Sequence, residues 1–202
     1  MGRIAAGRDA RGGRLMATLM FAARPVSEWP FRRVAWLLPV AFAIHEAEEW
    51  NILAWYQRYW TNVGALTQRS SWTWLVFASA LGCVATWLLT RLPWERVVAH
   101  LLLALFVFPV SHALLHLYFL WFFAAWNPGL LTAVTLLLPA GYLVAREALR
   151  RRLVSRWYLG ALVLLGIPPI VGAARLAGRV PDTGLPWFNL GAALAEALFG
   201  AP

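Results

Sequence analysis

The chain has no lysine, a single cysteine and few charges of either sign. All 18 basic side chains among its 202 residues are arginine, and only nine residues are acidic. The lone cysteine, Cys83, sits inside an apolar run, which excludes an internal disulfide framework and a cysteine-based metal cluster. A charged fraction of 13% beside 61% hydrophobic residues and a mean hydropathy of +0.61 excludes an ordinary soluble domain. The net charge of +9 does not point to nucleic acid, because the arginines form no stripe. They lie between the apolar runs, as topology signals do.

What is present is a series of apolar runs long enough to cross a bilayer, at 34–56, 72–90, 97–126, 129–147 and 157–174. The sequence therefore predicts an all-α protein, a polytopic transmembrane helical bundle of about five spans. A sixth stays open, because Pro168 and Pro169 blur the fifth run and the tail "PWFNLGAALAEALFG" is apolar but short. Three regions follow: a flexible basic N-terminal arm at 1–33, a transmembrane domain at 34–174 and a C-terminal amphipathic, interfacial tail at 175–202. The arm's patch "LMATLMFAA" is too brief to span, and Pro25 makes a poor cleavage context beside it.

Seven arginines in the arm, Arg91 and Arg96, and five between Arg146 and Arg156 fall on one side of this topology, against Arg58, Arg69, Arg175 and Arg179 on the other. That bias predicts a cytoplasmic N-terminus and an external C-terminus. Tryptophans near the run ends, such as Trp36, Trp72, Trp94 and Trp157, fit an interfacial belt. The third run would be ~45 Å long against a hydrocarbon core of ~30 Å, so it must tilt, protrude or bend at Pro109. After it, "WNPGLL" reads as Asn127 capping a new helix with Pro128 at its first position.

The chemistry gathers in "AFAIHEAEEWNILAWY", residues 41–56, where a histidine and three glutamates interrupt an apolar helix. Three mid-span carboxylates oppose insertion by roughly 8–10 kcal/mol, while the eight Leu, Ile, Val and Phe residues of the whole 34–56 run return about 2–5. Something must neutralise or solvate them. At a helical turn of ~100° per residue, Glu49 and Glu48 lie ~40° and ~60° either side of His45, and Glu46 points about a quarter-turn away. In the third run His112 and His116 are four apart and share a face, whereas His100 lies nearer the cytoplasmic end and on another side. Depth matching sets His45 level with His112 and Glu49 level with His116.

Imidazoles and carboxylates converging in one layer suit one transition metal, Zn or Fe with Zn slightly ahead, held by His45, Glu49, His112, His116 and Glu48 as candidates. Three protein ligands with an open position describe a catalytic site. The HExxH zinc-protease helix and the Glu-x-x-His pairs of di-iron bundles are both absent, which leaves Glu48 as the candidate catalytic base. Glu46, Asn51, Ser111 and Tyr118, with Thr132 and Thr135, are candidates to hydrogen-bond behind the ligands. Ordinary helix–helix hydrogen bonds, a proton relay or an ion-pair network with Arg58 would use the same residues.

H-x-x-E-E at His45 to Glu49, followed by "SHALLHLYFLWFFAAWNPGLLTAVTLLLPAGYLV", resembles the bacterial HXXEE-domain membrane proteins over roughly residues 35–145. The resemblance implies importance for His45, Glu48 and Glu49, supports His112 or His116, and implies no reaction. From the residues themselves the expectation is a membrane metalloenzyme, a hydrolase acting on a lipidic or apolar substrate through metal-activated water with Glu48 as proton shuttle. The alternatives are an iron-dependent oxidoreductase, a proton- or metal-coupled small transporter, and a structural subunit. Expected partners are the lipid bilayer and an apolar small molecule, and no nucleic acid; the sequence sets no oligomeric state.

Overall fold

The computed structural model describes residues 29–61, 63, 66–179 and 186–199. The chain divides at Pro30 into two compact units, Met1–Pro30 and Phe31–Pro202. Residues 1–28, most of the expected basic arm, lie outside the described residues, and the account below concerns the second unit.

That unit is an all-α bundle. Among the described residues, four helices are long and apolar enough to cross a membrane: α4 (Gln68–Leu89), α5 (Glu95–Phe123), α6 (Leu130–Arg150) and α7 (Arg156–Arg175). Their starts are written locally. Thr67 and Ser70 form a reciprocal capping box on α4, and the Ser155 hydroxyl accepts the Tyr158 N–H at the start of α7. Large apolar side chains such as Val76, Leu88, Leu164 and Trp157 are exposed along these helices, as lipid contact requires. Long apolar helices with outward apolar faces make this an integral membrane protein. Helix α5 runs unbroken through Pro109 for 29 residues and ends at Ala124 in the left-handed conformation, φ 48°.

The first apolar run behaves differently. It forms α1 (Phe31–Ala35), α2 (Leu37–Glu48), a 3₁₀ turn at Glu49–Asn51 and α3 (Ile52–Tyr59), no piece of which is long enough alone to count among the four. The 3₁₀ turn is held from outside: the Trp50 carbonyl accepts the Trp72 indole N–H at 3.0 Å and the Gln68 amide at 2.9 Å, and the two indoles stack. Residues 31–33, placed by the sequence reading at the end of the arm, begin the helical core, with Phe31 fully buried. In the tail, α8 (Pro186–Phe199) packs along α4, where a Cβ on Gly191 would meet the side chain of Trp74 at 2.9 Å.

Entry into α6 corrects one expectation. The helix starts at Leu130, not Pro128, with Gly129 before it at φ 88°, and Asn127 makes no side-chain cap. A left-handed residue turns the chain too sharply for Pro128 to be helical, and the Asn127 side chain is used elsewhere. One turn into α6, Ala133–Leu137 widens to a π-helix just ahead of Pro139, a common way to absorb a proline's missing N–H.

Candidate metal centre

Helix α2 delivers His45 and, across its junction with the 3₁₀ turn, Glu49; helix α5 delivers His112 and His116. One ligand atom from each of the four lies within 4.8 Å of every other. Glu49 Oε1 is the hub, 3.0 Å from His116 Nε2, 3.6 Å from His112 Nε2 and 3.8 Å from His45 Nε2. Ligand atoms around a tetrahedral zinc, at ~2.0–2.1 Å from it, sit about 3.3 Å apart, so the group is close to the required spacing. His45, His116 and Glu49 are buried, whereas the His112 side chain is 24% exposed and forms the open side.

The rings behind the centre are fixed in orientation. Glu48 Oε2 accepts the Thr132 hydroxyl proton at 2.6 Å, so the same hydroxyl can only accept from His45 Nδ1, 3.1 Å away. His45 thus carries its proton on Nδ1 and turns an unprotonated Nε2 to the centre. On α5, the Asn127 amide N–H₂ donates to the His116 carbonyl at 3.0 Å, which leaves Asn127 Oδ1 to accept from His116 Nδ1 at 2.7 Å. His116 Nε2 is likewise presented inward. Both Nε2 atoms are buried without a hydrogen-bond partner, since the approach to Glu49 is not aligned for an N–H donor. Two orphaned imidazole nitrogens and a carboxylate aimed at one point form a donor set that could hold a metal ion.

Glu48, expected as a ligand or general base, stands outside this group. Its carboxylate accepts the backbone N–H groups of Leu131 (3.3 Å) and Thr132 (2.8 Å), the open N-terminus of α6, as well as the Thr132 hydroxyl. A carboxylate at a helix N-terminus meets the positive end of the dipole and satisfies donors that have no intrahelical partner. It therefore supports His45 through Thr132. Gly129, beside that N-terminus, presses its backbone against the centre: a Cβ there would lie 2.6 Å from His116 Cε1 and 2.9 Å from Glu49 Oε1.

Glu46 is buried, one of its oxygens lacks a partner, and it lines a cavity of about 280 Å³ between α2, α3, α4, α5 and α7. Phe42, Glu46 and Glu49 share that wall, so α2 has a second working face besides that of His45. Ser111 also lines the cavity, ahead of His112. The other supporting candidates point elsewhere. Asn51 is exposed in the 3₁₀ turn, the Tyr118 hydroxyl donates to the Ala174 carbonyl at 3.4 Å, and Thr135 bonds back to the Leu131 carbonyl. His100 packs on Tyr158, and Arg58 is exposed over the Tyr59 ring. Asn127 and Gly129 are the members that sequence reasoning missed; the visible signals were an Asn and a Pro-Gly pair, which spell a turn.

A family model described as "Protein of unknown function with HXXEE motif" matches residues 36–144, the stretch that contains all four converging residues together with Glu48, Asn127, Gly129 and Thr132. No curated protein and no solved structure matches the chain.

Proposed function

The chain belongs to the HXXEE-motif family, and from its His/Glu centre we propose that it is an integral membrane metalloenzyme, a hydrolase for a lipidic or otherwise apolar substrate. The observation that carries this reading is the convergence of the buried Nε2 atoms of His45 and His116, neither in an aligned hydrogen bond, with Glu49 Oε1 on one point beside an apolar cavity. His45, His116 and Glu49 are the buried ligands, and His112 completes the set at the cavity edge. A bound transition metal, zinc ahead of iron, supplies Lewis acidity toward a carbonyl oxygen and makes water more acidic.

The chain's own residues do the rest. Thr132 with Glu48 and Asn127 hold two imidazoles in the tautomer that ligation requires. The apolar walls exclude bulk water and seat the substrate chain, and the carboxyl of Glu46 faces the space where the substrate head arrives. Hydrolysis of an ester there joins the water oxygen to the carbonyl carbon, breaks the acyl–oxygen bond and passes a water proton to the departing alcohol.

Convergence of four side chains on one point favours one ion, and with it hydrolysis over two-iron oxidation. A relay or transporter would spread polar groups through the bilayer depth, whereas these gather in one layer. The arginine distribution supports a bacterial cytoplasmic membrane with the N-terminus inside, which a reporter fused after Pro202 tests by appearing outside. The deciding experiment is elemental analysis of protein expressed with ample metal, wild type against His45→Ala. About one equivalent in wild type and little in the variant is expected. Wild-type protein without a transition metal removes the enzyme reading.

A further inference from the structure

The cavity beside the centre also carries information about the head group of its ligand. Its roughly 280 Å³ is nearly twice the ~150 Å³ of an engineered cavity that holds benzene, which sets its capacity at about a dozen non-hydrogen atoms. The walls are mostly apolar or aromatic, from Phe42, Trp74, Phe108 and Ile170 among others, and two of the polar side chains on them, Glu49 and His112, belong to the cluster. Although the chain has 18 arginines, none lines the cavity among the described residues; the carboxyl side chains of Glu46 and Glu49 do.

Phosphate recognition draws on arginine or lysine, or on the free N–H groups of a helix N-terminus. The N-terminus of α6, beside this centre, is already filled by the chain's own anion, the Glu48 carboxylate. A phosphorylated head would thus shed its water beside the Glu46 carboxyl with no arginine among the lining residues to replace the lost hydrogen bonds; the one cation in its reach would be a metal on the cluster, whose charge Glu49 already offsets in part.

We propose that this cavity takes an uncharged medium-chain acyl compound, an ester or amide whose carbonyl end lies at the His/Glu cluster, and discriminates against alkyl phosphates. The assignment rests on the metal-centre reading for the position of the carbonyl, while the chain itself is held by apolar contact alone.

The test is photolabelling of the full-length protein in lipid nanodiscs by a diazirine-bearing decanoate ester, with methyl decanoate and decyl phosphate as competitors and the labelled peptides mapped by mass spectrometry. Label is expected on the segments 108–115 and 169–176, with methyl decanoate competing at least about tenfold better than decyl phosphate. Ala173 of α7 lines the cavity and is not among the four converging residues, so Ala173→Trp should abolish the labelling and the milder Ala173→Leu should reduce it, both with bound metal unchanged. Equal or better competition by decyl phosphate, label outside these segments, or labelling indifferent to both Ala173 variants overturns the proposal. Repeating the experiment on chelator-treated protein separates the two readings. Ester binding in a protein that never held metal sinks the metalloenzyme and leaves the pocket assignment standing; a metal-loaded protein that prefers the phosphate does the reverse.

Discussion

Glu147 and Glu49 are almost equally buried, at 6% and 7% exposure, and the chain answers their charges by opposite means. Glu147, near the arginine-rich end of α6, accepts from Arg150 Nε at 2.8 Å and Nη2 at 2.5 Å and from Arg151 Nε at 2.7 Å. Those cations come from its own last turn, and the Arg150 side chain is half exposed, so the network sits at the edge of water. Among the described residues, Glu49 forms its ion pairs with histidines and not with arginine. It faces three imidazoles, two of them locked with an unprotonated nitrogen toward it. A permanent cation closes a site, whereas neutral donors leave a carboxylate able to share a metal. The position of the two glutamates relative to water thus separates a structural network from a candidate reactive one.

The sharpest way to break this contrast is His116→Ala, which should lower bound metal from about one equivalent to less than about a tenth by elemental analysis, because a buried ligand leaves and its place fills with nothing polar. Glu49→Gln keeps the shape and removes the charge; metal content should fall by more than half, whereas Glu147→Gln should leave it unchanged. Next in size are the residues behind the ligands. Asn127→Leu and Thr132→Val should each weaken metal binding about 10–100-fold in a chelator competition while the protein still folds, since each frees an imidazole to rotate. Gly129→Ala combines a left-handed strain of about 1–2 kcal/mol with contact against His116, and should lower the thermal midpoint by several degrees in addition to weakening the metal. The smallest effect is again at Glu147: Glu147→Gln should slightly lower thermal stability, by an amount that shrinks as salt is added, since its partners are largely solvated.

Helical period and depth suffice to bring His45, Glu49, His112 and His116 together, because both are properties of single helices laid across one bilayer. They do not divide the labour of Glu48 and Glu49, which flank His45 at similar angles. What separates those two is their surroundings: the α5 imidazoles stand on one side and the N-terminus of α6 on the other, and the 3₁₀ turn that begins at Glu49 tightens the chain between them. Asn127 shows the same limit. Its local chemistry is that of a cap, but burial beside His116 Nδ1 imposes a stronger demand than an exposed helix end does. Helical period sets Glu46 off the His45 face but does not reveal that the face it occupies borders a cavity, which forms only when α4, α5 and α7 pack. Four of the long helices were legible as apolar runs; the break in the first was not, because it depends on Trp72 and Gln68 reaching the Trp50 carbonyl.

The Glu48 cap also has a consequence for biogenesis. The N–H groups that receive Glu48 belong to residues 83 and 84 positions further along the chain, and at ~5–20 residues per second they leave the ribosome about 4–17 s after it. Throughout that interval the segment has no helix N-terminus for Glu48, and for most of it no imidazole from α5 for Glu49. Its final seat across the bilayer is therefore taken only after α5 and α6 arrive, so a segment made earlier waits on two made later.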